Sequence, residues 1–270
     1  MGNGVQSIVF CTALTPALSR GERELRMRVA LFVPCFVEHL QPEVALAAAR
    51  VLKHLGHEVV VPRGQTCCGQ SATNTGMWSA ATGAAMHFLR VFGRCEADAI
   101  VCPSASCAAA VRHAYERLPL SRRDKARLEA MTPRVFEFTE FLVDVNGTVD
   151  LGATLDRTVA LHQSCHSLRV LGLTDQPARL LHRVSGLRLV ELTRPEQCCG
   201  FGGAFSVKLP EVSAAAADDK LADAVAAGAG TLASVDSSCL AHLGGRARRL
   251  GLSLDVAHIA ELLAEGLGLT

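Results

Sequence analysis

Eight of the eleven cysteines fall into two sets with the same spacing. Each set has a single cysteine, an adjacent pair followed by glycine, and a last single cysteine. The two sets are Cys35, Cys67, Cys68 and Cys107, and then Cys165, Cys198, Cys199 and Cys239. The intervals before and after the pair are 31 and 38 residues in the first set and 32 and 39 in the second. This agreement predicts a tandem duplication in which each copy assembles four thiols.

Three roles are possible for these thiols: buried core residues, zinc ligands or ligands of an iron–sulfur cluster. A buried free cysteine behaves as a small apolar residue, which is our interpretation of Cys95 on a helical stretch but not of a repeated pair. Structural zinc usually takes its ligands from close C-x2-C pairs, and neither set contains one. The side chains of adjacent residues such as Cys67 and Cys68 diverge, so they suit separate irons of a cluster better than one ion. The spacing therefore favours an iron–sulfur cluster in each copy.

Glycines follow both cysteine pairs. Gly69 and Gly200 allow the backbone to approach inorganic sulfur closely, and Gly202 extends this stretch in the second copy. Backbone N–H groups at such turns can donate hydrogen bonds to cluster sulfurs and raise the reduction potential. His166 follows Cys165 directly and is either a hydrogen-bond donor or proton carrier at the site, or a structural histidine. We therefore predict cofactor contacts from Gly69, Gly200, Gly202 and His166.

The elements that position the cysteines are repeated as well. Val29–Leu31 and Val159–Leu161 are buried-strand patterns, and each lies six residues before the first cysteine of its set. A helical pattern begins at Pro42 and is ended by Gly56. Strands that alternate with helices predict an α/β fold, a duplicated βα unit with a parallel sheet and pseudo-twofold symmetry. Cysteines that follow parallel strands then meet at the carboxyl edge of the sheet.

Turn signals divide the chain. Asn146-Gly147 and Gly152 lie between the two copies, so we predict a first cysteine-rich domain at residues 27–148 and a second at 155–270. Residues 1–26 lie outside the repeat. We expect this tail, with Cys11, to be disordered or to result from the choice of start codon.

Composition excludes several classes of function. The formal net charge is +1 and no block of like charge stands out, which argues against nucleic-acid binding. The longest apolar stretch, 29–37, is shorter than the roughly 20 residues that a bilayer requires, so no membrane insertion is expected. No G-x-G-x-x-G motif predicts a NAD or flavin site. Many unpaired thiols without a convincing signal peptide predict a cytoplasmic location.

Longer motifs carry a family resemblance. They are Ser164-Cys165-His166-x-x-Arg169, Cys198-Cys199-Gly-Phe-Gly-Gly-x-Phe-Ser-Val-Lys208, Asp236-Ser-Ser-Cys239 and His258-Ile-Ala-Glu261. With these motifs the chain, from Met27 onward, resembles the cysteine-rich CCG-domain proteins. That group includes the cysteine-rich component of heterodisulfide reductase and the iron–sulfur component of glycolate oxidase. The greatest similarity is to the LutA/YkgE family of lactate-utilisation proteins.

The resemblance implies an iron–sulfur electron-transfer subunit of a complex that oxidises L-lactate to pyruvate, rather than a self-sufficient dehydrogenase. It implies two [4Fe–4S] clusters and partner subunits, including a second iron–sulfur protein. Heterodisulfide-reductase-type domains carry a fifth cysteine where this chain has Ser104 and Asp236, so four thiolates remain in each copy. A heterodisulfide-reductase-like or glycolate-oxidase-type redox subunit and a non-redox zinc scaffold stay open as alternatives. Cys102 is expected to be a core residue at a strand end.

Overall fold

The structure, a computed structural model, describes residues 26–270. Cys11 and all of the predicted tail except Arg26 lie outside the described residues. The first half contains β1 (Arg28–Leu31), α1 (Cys35–Leu40), α2 (Pro42–His54), β2 (Glu58–Val60), α3 (Gln70–Asn74), α4 (Trp78–Phe92), β3 (Ala99–Cys102), α5 (Ala105–Ala109), α6 (Arg122–Met131), β4 (Val135–Glu137) and α7 (Phe138–Glu140).

The second half repeats this order with fewer helices. It contains β5 (Thr154–Leu161), α8 (Gln176–His182), β6 (Ser185–Val190), α9 (Ala204–Lys208), α10 (Pro210–Ala226), β7 (Thr231–Ser234), α11 (Ser237–Leu250), β8 (Asp255–His258) and α12 (Ile259–Gly266). Short π-helical turns lie at Ala110–Ala114, Phe141–Val145 and His166–Val170, and 3-10 turns at Tyr115–Arg117 and Thr132–Arg134.

Each half is built on a four-stranded parallel sheet. The strand order is β2-β1-β3-β4 in the first sheet and β6-β5-β7-β8 in the second, and every neighbouring pair is parallel. Two sheets with the same order, each covered by helices, confirm the α/β fold and the duplicated βα unit. The order also reverses direction between β1 and β3, and between β5 and β7. In open α/β sheets ligands bind at that reversal, outside the carboxyl ends of the strands.

Local sequence explains the elements that carry the site. α2 begins at Pro42 and buries Val44, Ala48 and Val51 on one face. It is followed by Gly56 in the left-handed region at φ 88°, as the sequence predicts. The inner strands are apolar because helices cover both faces of the sheet, and β3 is buried along its whole length.

One hydrophobic core joins the halves. Val29 of β1 and Val159 of β5 belong to the same cluster of buried side chains. α2 of the first half packs against α12 of the second, and α8 of the second half packs against α7 of the first. The main chain is joined too, since Ala105 N donates a hydrogen bond to Val235 O at 3.0 Å. No helix within residues 26–270 combines the length and apolar character that crossing a bilayer requires.

Buried ionisable caps begin the last helix of each half. Glu137 caps α7 and His258 caps α12, and both form capping boxes with the glutamate three residues later. Both cap residues are 0% exposed. Burial raises the pKa of Glu137 to about 8 and lowers that of His258 to about 4, because the interior disfavours the charged form of each.

We predict that His258 makes the fold acid-sensitive. Its pKa is about 4 in the folded protein against 6.5 ordinarily. Its neutral form therefore stabilises the fold above pH 6.5, and this stability is lost as the pH falls towards 4, at about 1.4 kcal/mol per pH unit. His258→Asn, which keeps a capping side chain, should reduce this slope in urea unfolding. The exposed His39→Asn variant is the control, and equal slopes in all three proteins would contradict the prediction.

Candidate metal centre

The first cysteine set gathers at the carboxyl edge of the first sheet. Cys35 begins α1 just after β1, Cys67 and Cys68 lie in the loop after β2, and Cys107 lies in α5 after β3. Because β1 lies between β2 and β3, these three connections are neighbours at one edge. Residues far apart in the sequence therefore meet without any local chelating motif.

The four sulfurs of this set lie in hydrogen-bonding contact. The Cys68 thiol donates to Cys107 Sγ at 3.3 Å. Cys67 Sγ is in contact with the sulfurs of Cys35 and Cys68, and it accepts a hydrogen bond from the backbone N–H of Gly69 at 3.3 Å. Gly69 therefore contacts a sulfur of the set.

The second set has the same arrangement. The Cys199 thiol donates to Cys239 Sγ at 2.9 Å. Cys198 Sγ is in contact with the sulfurs of Cys165 and Cys199, and it accepts a hydrogen bond from Gly200 N at 3.4 Å. Each half therefore brings together its four predicted cysteines, with the first glycine after the pair donating to the same sulfur.

Both sets face one cavity of about 90 Å³. The eight set cysteines line it together with Phe36, Gln70, Ser71, Asn74, Ser104, Ser106, His166, Phe201, Gly202, Gly203, Asp236 and Ser238. Side chains from opposite halves meet across it. The rings of Phe36 and Phe201 are 5.3 Å apart in an edge-to-face contact, and Gln70 Nε2 lies 2.9 Å from His166 Nε2. The two predicted sites therefore share one chamber.

His166 and Gly202, for which the sequence predicts cofactor contacts, both line this cavity. His166 Nδ1 is 3.6 Å from Cys165 Sγ, and its other ring nitrogen contacts the opposite half through Gln70. Gly202 has φ 54° and approaches Phe205 closely. Cys102 is fully buried at the end of β3, which confirms the expected core position. Cys95 lies beyond the end of α4 at Phe92, so the expected helical position is wrong.

The thiols hold their protons unequally. The pKa of Cys67 and that of Cys198 are lowered to about 2, because neighbouring thiols, first Cys35 and Cys165 respectively, stabilise the thiolate of each. The pKa of Cys35 and that of Cys165 are raised, first because their thiols are donors and then because burial disfavours the thiolate. Ionisation of one thiol therefore opposes ionisation of the next.

This donor set fits a metal centre. None of the described residues that line the cavity is a lysine or an arginine, so the cavity wall offers little charge to balance four thiolates. The buried Lys220 interacts electrostatically with Cys198 and Cys199, but one cation does not balance four thiolates. Metal binding supplies that charge and releases the thiol protons. The ten described cysteines are all free thiols. Two closely grouped sets of four are suitable for iron–sulfur clusters.

Asp236 has a role that the sequence did not reveal. It is 1% exposed, and Oδ2 accepts a hydrogen bond from Ser106 N of the other half at 2.7 Å. Oδ1 accepts from Ser238 N at 3.1 Å and from the Ser238 hydroxyl at 2.6 Å. One carboxylate thus binds the N-termini of α11 and α5. The sequence signals only the cap of α11, through the position of Asp236 just before a helix. The contact with α5 joins the two copies and leaves no local pattern.

His162 also escaped the sequence analysis. It follows the last residue of β5 and is 1% exposed. One of its ring nitrogens and the sulfurs of Cys199 and Cys239 all lie within 4.8 Å of one another. Burial lowers its pKa to about 4, so the ring is neutral. The available signal is a histidine at the end of a buried strand where the first copy has Phe32.

Comparisons with known proteins agree with this site. Residues 29–112 and 159–244 match the family model of the CCG cysteine-rich domain. Lactate utilization protein A of an Exiguobacterium species is 42% identical over 241 residues, which cover 88% of this chain and 97% of that protein. Lactate utilization protein A 1 of Bacillus cereus is 41% identical over 240 residues, covering 88% of this chain and 98% of that protein.

Solved structures add no functional information. Glutamate racemase RacE1 of Bacillus anthracis aligns with 90% of this chain and 80% of its own, with 11% identity and a TM-score of 0.36. A similarity this low carries no argument about this chain.

We predict that Gly200 is required by the fold as well as by the site. At φ +89° an added Cβ would lie 2.3 Å from the Ser213 carbonyl oxygen. Gly200→Ala should lower the free energy of unfolding by about 3 kcal/mol, measured in urea. Gly172→Ala is the matched control, because Gly172 has φ +73° but open space around it, and should cost about 1 kcal/mol. Equal losses in the two variants would contradict the steric explanation.

Proposed function

This chain belongs to the cysteine-rich CCG family and, within it, to the family of lactate utilization protein A, and from this premise we propose that it is an iron–sulfur electron-transfer subunit of a complex that oxidises L-lactate to pyruvate. One observation carries the proposal. Eight free cysteines, four from each half, line a single cavity at the carboxyl edges of two parallel sheets. This donor set matches the four thiolates that a [4Fe–4S] cluster takes.

Each set of four cysteines would bind one cluster. Cys35, Cys67, Cys68 and Cys107 would hold one [4Fe–4S] cluster, and Cys165, Cys198, Cys199 and Cys239 the other. When bound, a cluster of this kind supplies one-electron chemistry. The N–H groups of Gly69 and Gly200 already donate to sulfurs of the sets. They stabilise negative charge there and so favour the reduced form.

Other side chains control the surroundings of the sites. Phe36 and Phe201 contact each other across the cavity and restrict the access of water, which influences the reduction potential. The hydrogen bond between Gln70 and His166 joins the same walls. Both sets would therefore work in one shielded chamber, in which the charge of one centre is felt by the other.

Removal of hydride from lactate is assigned to partners. The sequence has no G-x-G-x-x-G motif for a nicotinamide or flavin cofactor. We therefore place the oxidation step on other subunits of the complex, including a second iron–sulfur protein.

Exposed apolar side chains lie close in sequence to the segments that line the cavity. Met77 and Trp78 follow α3, Val207 lies in α9, and Val212 lies in the first turn of α10. The free thiols support a reducing compartment such as the cytoplasm.

Metal content tests the clusters directly. Protein purified without oxygen should be brown and contain about four irons and four sulfides per set. Cys68→Ser and Cys199→Ser should each lose about half of the iron, because the other set keeps its ligands. Cys95→Ser is the matched control and should keep all of it. Colourless protein with stoichiometric zinc would instead identify a zinc scaffold and refute the redox assignment.

Growth tests the substrate. A strain that lacks this protein should fail to grow on L-lactate while it grows normally on glucose. The wild-type gene should restore growth, and a Cys68→Ser/Cys199→Ser gene should not, because neither set is then complete. Unimpaired growth on lactate together with failure on glycolate would indicate a glycolate-oxidase-type subunit. A radical signal that appears only when thiols are added to the oxidised protein would favour a heterodisulfide-reductase-like enzyme.

A further inference from the structure

His162 is a buried imidazole without a hydrogen-bond partner. Neither ring nitrogen has one among the described residues, although the side chain is 1% exposed. The backbone at this residue is fixed by two bonds, because His162 N donates to Ala233 O at 2.8 Å and His162 O accepts from Ser234 Oγ at 3.0 Å. The ring is therefore held in place by the end of β5. Leaving a polar group unpaired in the interior costs about 1–3 kcal/mol.

The sulfurs of the second set lie beside this ring. A nitrogen of His162, Cys199 Sγ and Cys239 Sγ all lie within 4.8 Å of one another, and the two sulfurs are 2.9 Å apart. A neutral imidazole offers one N–H donor, and thiolate sulfur is an acceptor. Four thiolates already provide one ligand for each iron of a [4Fe–4S] group. The ring is therefore suited to donate to a ligand sulfur rather than to replace one.

At the equivalent position the first half has no donor. Phe32 takes this position after β1, since Leu31 and Leu161 end the equivalent strands. Its ring packs at 5.0 Å from Phe88 and 5.4 Å from Phe92 in edge-to-face contacts. The buried Tyr115 lies near the first set, but its hydroxyl donates to the Cys68 carbonyl oxygen at 2.9 Å. The repeated cysteines are thus matched in the two halves, but the residue that follows the first strand is polar in only one.

We propose that, when the second set holds its cluster, the imidazole N–H of His162 donates a hydrogen bond to a sulfur of the Cys199–Cys239 pair and makes the second centre easier to reduce than the first. This inference rests on the proposed iron–sulfur function. A hydrogen bond to a ligand sulfur stabilises the added electron and raises the potential. His162 thereby gives two centres with the same four ligands different potentials.

Potentiometric titration followed by electron paramagnetic resonance tests this difference. The wild type should show two midpoint potentials, and His162→Phe, which introduces the residue of the first half, should lower only the higher one. We expect about a tenfold fall in the equilibrium constant for reduction, equal to about 59 mV for one electron. The same shift should appear in a Cys68→Ser background, where only the second set is complete. His162→Gln keeps an N–H donor and should recover part of the loss.

A second measurement does not depend on the folding of the His162 variants. Protein labelled with ¹⁵N-histidine should show a weak nitrogen coupling at the higher-potential centre in pulsed spectra, and the coupling should persist in His166→Gln, which removes the imidazole that lies 3.6 Å from Cys165 Sγ. Strong coupling would mean that the imidazole is itself a ligand, and no coupling would mean that it does not contact the centre; either overturns the inference. An unchanged potential in His162→Phe with full iron also overturns it and leaves the proposed function intact. Wild-type protein without iron and sulfide would refute both.

Discussion

Mutual repulsion between buried thiolates is the constraint on which this structure depends. Four sulfurs within hydrogen-bonding contact cannot all ionise at neutral pH, and protons are shared unequally among them until a cation arrives. The fold therefore has to hold the sulfurs together against their own charge. It does so by placing the cysteines in the connections that follow three neighbouring parallel strands of each sheet, so that all four lie at one carboxyl edge. Gly69 and Gly200 add N–H donors where the charge is most concentrated.

Duplication supplies two such sites, and the join between the halves makes them unequal. Asp236 binds the starts of α11 and α5 with one carboxylate, whereas its counterpart Ser104 caps α5 with no side-chain hydrogen bond. His162 replaces Phe32 in the same way. The cysteines are the same in both halves because each set provides the same four thiol ligands to its site. The residues around them diverge because the two sets face different neighbours.

Sequence periodicity and spacing were enough to predict the first strand of each copy, the cysteine sets and the carboxyl edge at which each set meets. α2 could be placed because Pro42 and Gly56 act locally. Three features could not be predicted in this way. The contact of Asp236 with Ser106 joins residues 130 positions apart, the isolation of His162 depends on its burial beside Cys199 and Cys239, and the space behind Gly200 is set by α10. All three depend on how separate segments pack.

The packing of α2 against α12 has a consequence for how the protein matures. α12 is synthesised long after α2, so the first half leaves the ribosome with an apolar helix face that has nothing to cover it. The chamber walls meet only when the second half has folded onto the first. Until then the apolar face of α2 and the thiols of the first set are open to solvent, and a nascent chain in this state is prone to aggregation.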